Sequence, residues 1–301
     1  MSPRHQLEFV LLAAVWGASF LFMRIAAPEF GPLPLMLVRC AVGAAVLLPI
    51  AWARQDASAL AGVARERSGR LLLAGLFSSA LPFALFGFAA LTLSAGSSSI
   101  LNATTPIFGA IVGYFWLKER LTGWRMAGLA IGIVGVVVLS WDKATFSGGA
   151  LGGWAILACL LATLCYGIAG NFTRKHLGGV NPLVVAAGSQ LGALLVLLPG
   201  GLAQWPAASP SPAAWLSALA LGSLCTGLAY VLFFRLLVNV SSSAALSVTF
   251  LIPLFGVLWG WLFLGESLDL SMLAGGAIIV LGTAFATGLL TGARLGLARS
   301  R

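Results

Sequence analysis

Long apolar segments, separated by short polar, Gly- or Pro-containing stretches, dominate the chain. Ten segments can be delimited, each long enough to cross a hydrocarbon layer about 30 Å thick as an α-helix. They cover residues 7–26, 33–52, 71–92, 97–117, 122–141, 151–170, 181–199, 214–236, 241–263 and 270–291. Connections such as Pro28 to Pro34 are too short to hold domains outside the bilayer. The pattern predicts an all-α integral membrane protein whose function lies between ten transmembrane helices.

The composition agrees with this interpretation. Hydrophobic residues make up 60% of the chain and charged residues only 8%, whereas soluble domains carry about 25% charged residues. The net charge of +9 would suggest nucleic-acid binding in a soluble protein. Here the basic residues lie mostly between apolar segments, where they determine membrane orientation. We therefore expect a lipid bilayer as partner, no nucleic acid, and a first segment that is retained as a helix.

The basic residues are distributed asymmetrically about the ten segments. With a cytoplasmic N-terminus, 14 of the 17 Lys and Arg residues fall on the cytoplasmic side, and only Arg24, Arg39 and Lys143 fall outside. Because positive residues accumulate on the inside, both termini are predicted to be cytoplasmic. One segment more or fewer would spoil the asymmetry.

An internal repeat is the most informative feature of the sequence. A shift of 147 residues superposes Pro106 to Gly135 on Pro253 to Gly282, with 12 of 30 positions identical. We therefore predict two five-helix repeats, at 1–145 and 146–301. Because five is odd, the second repeat starts on the opposite side of the membrane. Inverted repeats underlie alternating access around a central site in many secondary transporters, although duplication kept only for folding is the alternative.

The doubled block resembles a known family. Pro106-Ile-Phe-Gly and Leu117-Lys-Glu-Arg-Leu are matched by Pro253-Leu-Phe-Gly and Leu264-Gly-Glu-Ser-Leu, and they resemble the two EamA-type repeats of the drug/metabolite transporter superfamily. The Trp16-Gly-Ala-Ser-Phe20 stretch and Arg39 are also similar to that pattern. The resemblance implies a ten-helix inner-membrane carrier that moves metabolites outward through a central cavity. The chain is also similar to the bacterial aromatic amino acid exporter branch.

Three prolines inside predicted helices are candidate hinges. Each would free the carbonyl four residues earlier, so Pro82, Pro106 and Pro253 would free those of Ser78, Asn102 and Thr249. The last two are equivalents under the 147-residue shift. We predict that Ser78, Asn102 and Thr249 bind substrate, because a polar side chain beside an unpaired carbonyl can anchor an ammonium or amide group. The alternative is a bent helix whose carbonyl is satisfied by a nearby hydroxyl.

Aromatic residues at mid-span are the remaining candidates for the substrate path. Trp and Tyr normally prefer the membrane interface, so their central placement requires a partner or a cavity. The predicted substrate-binding aromatics are Trp16, Phe20, Phe83, Tyr166 and Tyr230. For the Phe residues, packing or lipid contact is the alternative.

Charged residues are scarce inside the predicted helices. Arg39 lies early in the second helix and is interpreted as a motif residue, either an interfacial anchor or partner of Glu29 or, as the alternative, a residue of the substrate path. Glu119 and Glu266 are interpreted as motif residues that fix the hairpins after the fourth and ninth helices. No cluster of His, Cys, Asp or Glu has the spacing of a metal site, so no metal and no cofactor are expected.

The sequence thus favours a secondary transporter that exports small metabolites, above all neutral or aromatic amino acids. A broader drug/metabolite carrier or a passive facilitator is the alternative, and a membrane-embedded enzyme is a remote one because catalytic clusters are lacking. Gly-x-x-x-Gly pairs such as Gly109 to Gly113 allow close helix packing within one chain, so a monomer is expected in the bacterial inner membrane.

Overall fold

The computed structural model describes residues 3–54, 57–119, 122–142, 149–240, 245 and 247–290, and over these residues it contains helices and no strands. The domain boundary at 145/146, Lys143, the start of the predicted ninth segment and the basic C-terminal tail lie outside the described residues.

We group the helical segments into ten helices, α1–α10. Six are uninterrupted: α1 Pro3–Phe30, α2 Pro32–Arg54, α5 Gly123–Asp142, α6 Gly149–His176, α7 Pro182–Ala203 and α10 Leu270–Ala286. The other four are composite: α3 (Ala57–Gly75, Leu76–Ala80, Leu81–Ala89), α4 (Ala95–Asn102, Thr105–Leu117), α8 (Pro212–Gly222, Ser223–Leu228, Ala229–Asn239) and α9 (Ser247–Phe250, Ile252–Leu264).

Nine of these helices are long and apolar enough to cross a membrane, within the described residues. The tenth, Leu270–Ala286, is apolar but has only 17 residues. The boundaries differ from the sequence prediction by several residues. For example, α1 continues through Pro28 to Phe30, and the chain reverses at Gly31, whose φ of 78° is readily adopted by glycine.

The composite helices are interrupted at equivalent positions. In α3 the segment Leu76–Ala80 is a π-helical turn, and in α8 the π-helical turn is Ser223–Leu228. Leu76 and Ser223 are 147 residues apart, so the repeat includes this irregularity. In α4 and α9 the second segment begins one residue before Pro106 or Pro253. Proline is favoured in the first turn of a helix, where its missing N–H would be unpaired anyway.

The helix contacts of one half also correspond to those of the other half under the 147-residue shift. Helix α1 packs on α9 and α8, while its equivalent α6 packs on α4 and α3. Helix α2 packs on α8, and its equivalent α7 packs on α3. Helices α5 and α10, equivalents of each other, form the most extensive contact. Each half therefore buries its helices largely against the other half.

Glycines allow these helices to approach closely. A Cβ on Gly17 in α1 would lie 2.9 Å from the backbone nitrogen of Gly256 in α9. A Cβ on Gly167 in α6 would lie 2.8 Å from that of Gly109 in α4. Small residues at helix interfaces are typical of membrane proteins, where close backbone packing drives association. The close approach of α1 to α9 thus has an equivalent in the approach of α6 to α4.

Candidate functional site: a central cavity

All eight residues predicted to bind substrate line one cavity of about 210 Å³ between the two halves. They are Trp16, Phe20, Ser78, Phe83, Asn102, Tyr166, Tyr230 and Thr249. They come from α1, α3, α4, α6, α8 and α9, so the cavity exists only because both halves contribute to it. Pockets for drug-sized ligands measure about 300–1,000 Å³, so this one suits a small molecule.

Aromatic rings form one side of the cavity. Phe20 meets Phe86 edge-on with 5.4 Å between ring centroids, and Phe86 stacks on Tyr166 at 6.2 Å. Trp16 packs on Phe233 at 5.3 Å. The rings of α1, α3 and α6 therefore hold one another in place, and they offer apolar and π faces to a ligand.

Arg39 lies in the wall of this cavity and is only 5% exposed. Its Nε donates a hydrogen bond to Thr226 Oγ1 at 3.1 Å, and its guanidinium carbon lies 3.6 Å from the centroid of the Phe83 ring. Glu29 instead accepts hydrogen bonds from the backbone N–H and the hydroxyl of Ser211. Of the two interpretations of Arg39, its place in the cavity wall favours a role in the substrate path over an interfacial anchor or a partner of Glu29.

The proline interpretation also changes at Asn102. Its carbonyl oxygen accepts a hydrogen bond from Thr105 Oγ1 at 2.8 Å, which is the alternative in which a nearby hydroxyl satisfies the freed group. The side-chain amide of Asn102 remains in the cavity wall. The freed carbonyl of Asn102 is therefore already paired within its own helix turn. Pro82 likewise follows the π-helical turn instead of bending a regular helix.

Two buried polar contacts hold the π-helical turns. Gln190 Nε2 on α7 donates to Ser79 Oγ on α3 at 2.9 Å. Its counterpart is the contact between Arg39 on α2 and Thr226 on α8, because Ser79 and Thr226 are equivalent under the shift. Ser79 also lies 3.3 Å from the hydroxyl of Ser78 in the cavity wall. Helix-to-turn contacts therefore position polar groups at the cavity from both sides.

The two motif glutamates have different partners. Helices α4 and α9 both end in a left-handed residue, Lys118 (φ 58°) and Gly265 (φ 63°), after which the Glu119 and Glu266 N–H groups donate to Gly113 and Gly260. The Glu266 carboxylate then accepts from the N–H groups of Ala95 (2.7 Å) and Gly96 (3.2 Å) at the start of α4.

Glu119 contacts α6 instead. Its carboxylate pairs with Arg174. Both glutamates thus connect separate helices, α9 to α4 and α4 to α6, and their expected role of only fixing the adjacent hairpin is too narrow.

Two larger cavities lie towards these glutamates. The one next to Glu119 measures about 600 Å³ and shares Thr105, Tyr166 and Thr249 with the wall of the central cavity. The one next to Glu266 measures about 560 Å³ and shares no described lining residue with it. The central cavity is therefore separated from the Glu119-side cavity by a wall that Thr105, Tyr166 and Thr249 line on both faces.

Several lining residues were not identified from the sequence. Ser19, Thr105 and Cys225 are small polar or thiol residues in apolar helices, and nothing in their spacing separates them from packing residues. Phe86 was visible as a mid-span aromatic. Arg39 carried the clearest signal, a charge inside an apolar segment, but its distance from the helix end pointed to the surface.

Comparisons with known proteins agree with this architecture. The chain is 23% identical to the uncharacterized transporter YoaV of Bacillus subtilis, over 92% of this chain and 94% of that one. It is 26% identical to a probable terminal-alkyne amino-acid exporter of Streptantibioticus cattleyicolor, over 91% of this chain and 90% of the relative. A crystal structure with 20% identity has the same fold, with a TM-score of 0.67 over 98% of this chain and 99% of the other.

The sequence profile of the EamA-like transporter family matches residues 7–141 and again residues 153–288. Together the two matches cover most of the chain, and relatives over nearly its full length are named as transporters. The chain is a multi-pass membrane protein that belongs to the EamA-like transporter family.

Proposed function

We propose that this protein exports small metabolites, above all neutral or aromatic amino acids, across the bacterial inner membrane. The observation that carries the proposal is the single small cavity in whose wall both halves place rings, an amide and hydroxyls. Such a wall suits a molecule with one flat or apolar part and a few polar groups. The relative named as a probable terminal-alkyne amino-acid exporter supports an amino acid as cargo.

The proposed mechanism is alternating access between two inverted five-helix halves, 1–145 and 146–301, with both termini in the cytoplasm. The interchange of helix contacts under the 147-residue shift supports it, because two related halves provide two related gates around one site. In this arrangement Leu270–Ala286 is the tenth spanning helix, and the protein works as a monomer because one chain encloses the site.

Within this proposal the structure is one state of the cycle. The cavity next to Glu119 shares three wall residues with the central cavity, and the distribution of basic residues predicts that this side is cytoplasmic. On the other side Glu266 links α9 to the start of α4. The interruptions before Pro82, Pro106 and Pro253 are the proposed hinges, because irregular turns absorb backbone rotation more readily than a regular helix.

Flux measurements with purified protein in liposomes test this function. We expect saturable uptake of radiolabelled amino acids or related metabolites and accelerated exchange in counterflow, which a passive facilitator would lack. Trp16→Ala and Asn102→Ala should abolish flux while the protein stays folded, as judged by its elution from a sizing column. Absence of flux for every compound tested would contradict the proposal, and full flux in both variants would contradict the site.

A further inference from the structure

Arg39 is the feature that the proposed function leaves unexplained. Among the described residues that line the central cavity, it alone carries a formal charge. The ion pairs of the described part of the chain involve Arg4, Arg174 and Arg235, and none involves Arg39. A cation that is 95% buried therefore faces a cavity without a counter-ion in the described structure.

Its surroundings compensate this charge only in part. Thr226 accepts from Nε, and the Phe83 ring stabilises the guanidinium through its π face. Of the two terminal amino groups, Nη1 contacts only the weak acceptor Met23 Sδ at 3.9 Å, and Nη2 makes no hydrogen bond to any described residue. Burying a cation without an anion is costly, and a guanidinium offers two parallel N–H groups that match a carboxylate.

We propose that Arg39 binds the carboxylate of the cargo, so that the transported class is monocarboxylates with an apolar or aromatic body, such as zwitterionic amino acids. This inference rests on the proposed function and names the group that selects the substrate. Thr226 and Phe83 orient the guanidinium from one side, which leaves the two terminal amino groups for the ligand.

The size and charge of the cavity argue for this class over other anions. One fixed cation balances one carboxylate, whereas a phosphate ester at neutral pH carries about −1.5 to −2 charges. The aromatic rings around Phe86 match an apolar side chain. The Asn102 amide in the same wall is an acceptor for an ammonium group. A zwitterionic cargo with a single carboxylate thus matches both the Arg39 guanidinium and the Asn102 side chain.

Matched ligand pairs test the inference on the full-length protein. The probes are L-phenylalanine, L-tryptophan, L-leucine and L-threonine together with the C-terminal amide of each, which keeps the shape and ammonium but removes the negative charge. Binding to purified protein is measured by calorimetry, and thermal unfolding without ligand monitors the fold. The variants are Arg39→Gln and Arg39→Lys. Arg54→Gln is the control, because it removes a charge from an exposed position of the same helix.

For every acid that binds the wild-type protein, we expect its amide to bind roughly 10- to 100-fold more weakly, the range that loss of a charge-assisted hydrogen bond gives. Arg39→Gln should weaken the acid by a similar factor and leave the amide unchanged, so the preference disappears in a protein that still binds. Arg39→Lys should retain part of the preference for the acid over its amide, and Arg54→Gln should retain all of it.

The outcomes separate the two proposals. If an acid binds but its amide binds equally well, or if Arg39→Gln keeps the full preference for acids, Arg39 does not bind the carboxylate and the transport function stands. If none of the four acids binds or is transported, the proposed amino-acid function fails, and this inference fails with it. If Arg39→Gln proves too unstable for binding measurements, the comparison of acid and amide with the wild-type protein and with Arg39→Lys still tests the inference.

Discussion

Gln190 shows at the scale of one residue how the cavity is held. Its side chain is fully buried in α7, and its Nε2 donates to Ser79 in the π-helical turn of α3. The carbonyl oxygen of the same amide has no hydrogen-bond partner among the described residues. Breaking the hydrogen bond between Gln190 and Ser79 is therefore costly, since an unpaired buried polar group lowers the free energy of unfolding by about 1–3 kcal/mol.

We predict that Gln190→Leu lowers the free energy of unfolding by about 1–3 kcal/mol, because it leaves the Ser79 hydroxyl without this donor. Ser79→Ala in the same protein should restore part of the loss, since the hydroxyl that lost the Gln190 donor is then absent. Denaturation of the detergent-solubilised single and double variants measures the coupling. Thr283→Val, whose hydroxyl donates to Ala103 on a different helix, should be additive with Gln190→Leu within about 0.5 kcal/mol.

The residue scale also shows what sequence reasoning can reach. Trp16, Tyr166 and Asn102 could be proposed for one site because each is unusual inside an apolar helix, and Asn102 is related by the repeat to Thr249. Arg39 could be recognised as unusual but not located, because its position along α2 does not reveal which neighbours α2 has. Thr105 lies three residues after Asn102, and the sequence offered a nearby hydroxyl for this carbonyl only as one of two alternatives, because a local contact of this kind competes with the regular helix.

At the scale of the helix, contacts at glycine decide which helices meet. Gly17 and Gly167 allow α1 to approach α9 and α6 to approach α4 at backbone distance. The Gly-rich pattern predicted close packing, but it did not predict the partners, because several helices carry similar Gly spacings.

We predict that Gly17→Val and Gly167→Val each strongly destabilise the protein, because a side chain would collide with backbone atoms that cannot move away cheaply. Gly153→Val on α6 is the matched control, since a Cβ there meets nothing within 4 Å. The readout is the monodisperse fraction recovered after mild heating in detergent. Equal recovery of Gly17→Val and Gly153→Val would show that α1 and α9 are not in close contact.

At the scale of the helix, the hydrogen bonds between Glu266 and the first turn of α4 can also be tested. Glu266→Ala removes the acceptor of the Ala95 and Gly96 N–H groups, so the first turn of α4 should open more often. Amide hydrogen exchange of residues 95–99 should accelerate about tenfold, as expected for a loss of about 1.4 kcal/mol.

Glu119→Ala is the control for this experiment, because Glu119 pairs with Arg174 and not with α4's first turn. It should leave exchange at 95–99 unchanged. Equal acceleration in both variants would indicate general destabilisation instead of a local link.

At the scale of the whole molecule, the helix contacts of the two halves correspond to each other under the 147-residue shift. The repeat in the sequence predicted two five-helix units with opposite orientation, and the structure adds which helix of one unit packs on which helix of the other. The pairing was not accessible from the sequence because all ten apolar segments have similar surfaces.

Cysteine labelling tests the inverted orientation. Thr122 and Asp269 are exposed, precede α5 and α10, and are 147 residues apart. In a background without the four native cysteines, an impermeant maleimide should label Asp269→Cys from outside intact spheroplasts and Thr122→Cys only in inverted vesicles. Labelling of both from one side would contradict opposite orientations.

The pairing of α1 with α9 has a consequence for the order of synthesis. Gly17 and Gly256 are separated by about 240 residues, and at 5–20 residues per second the ribosome needs roughly 12–50 s to make them. Throughout that interval the glycine face of α1 lacks the partner that it has in the final structure. The first helix to be made can thus complete its packing only near the end of translation.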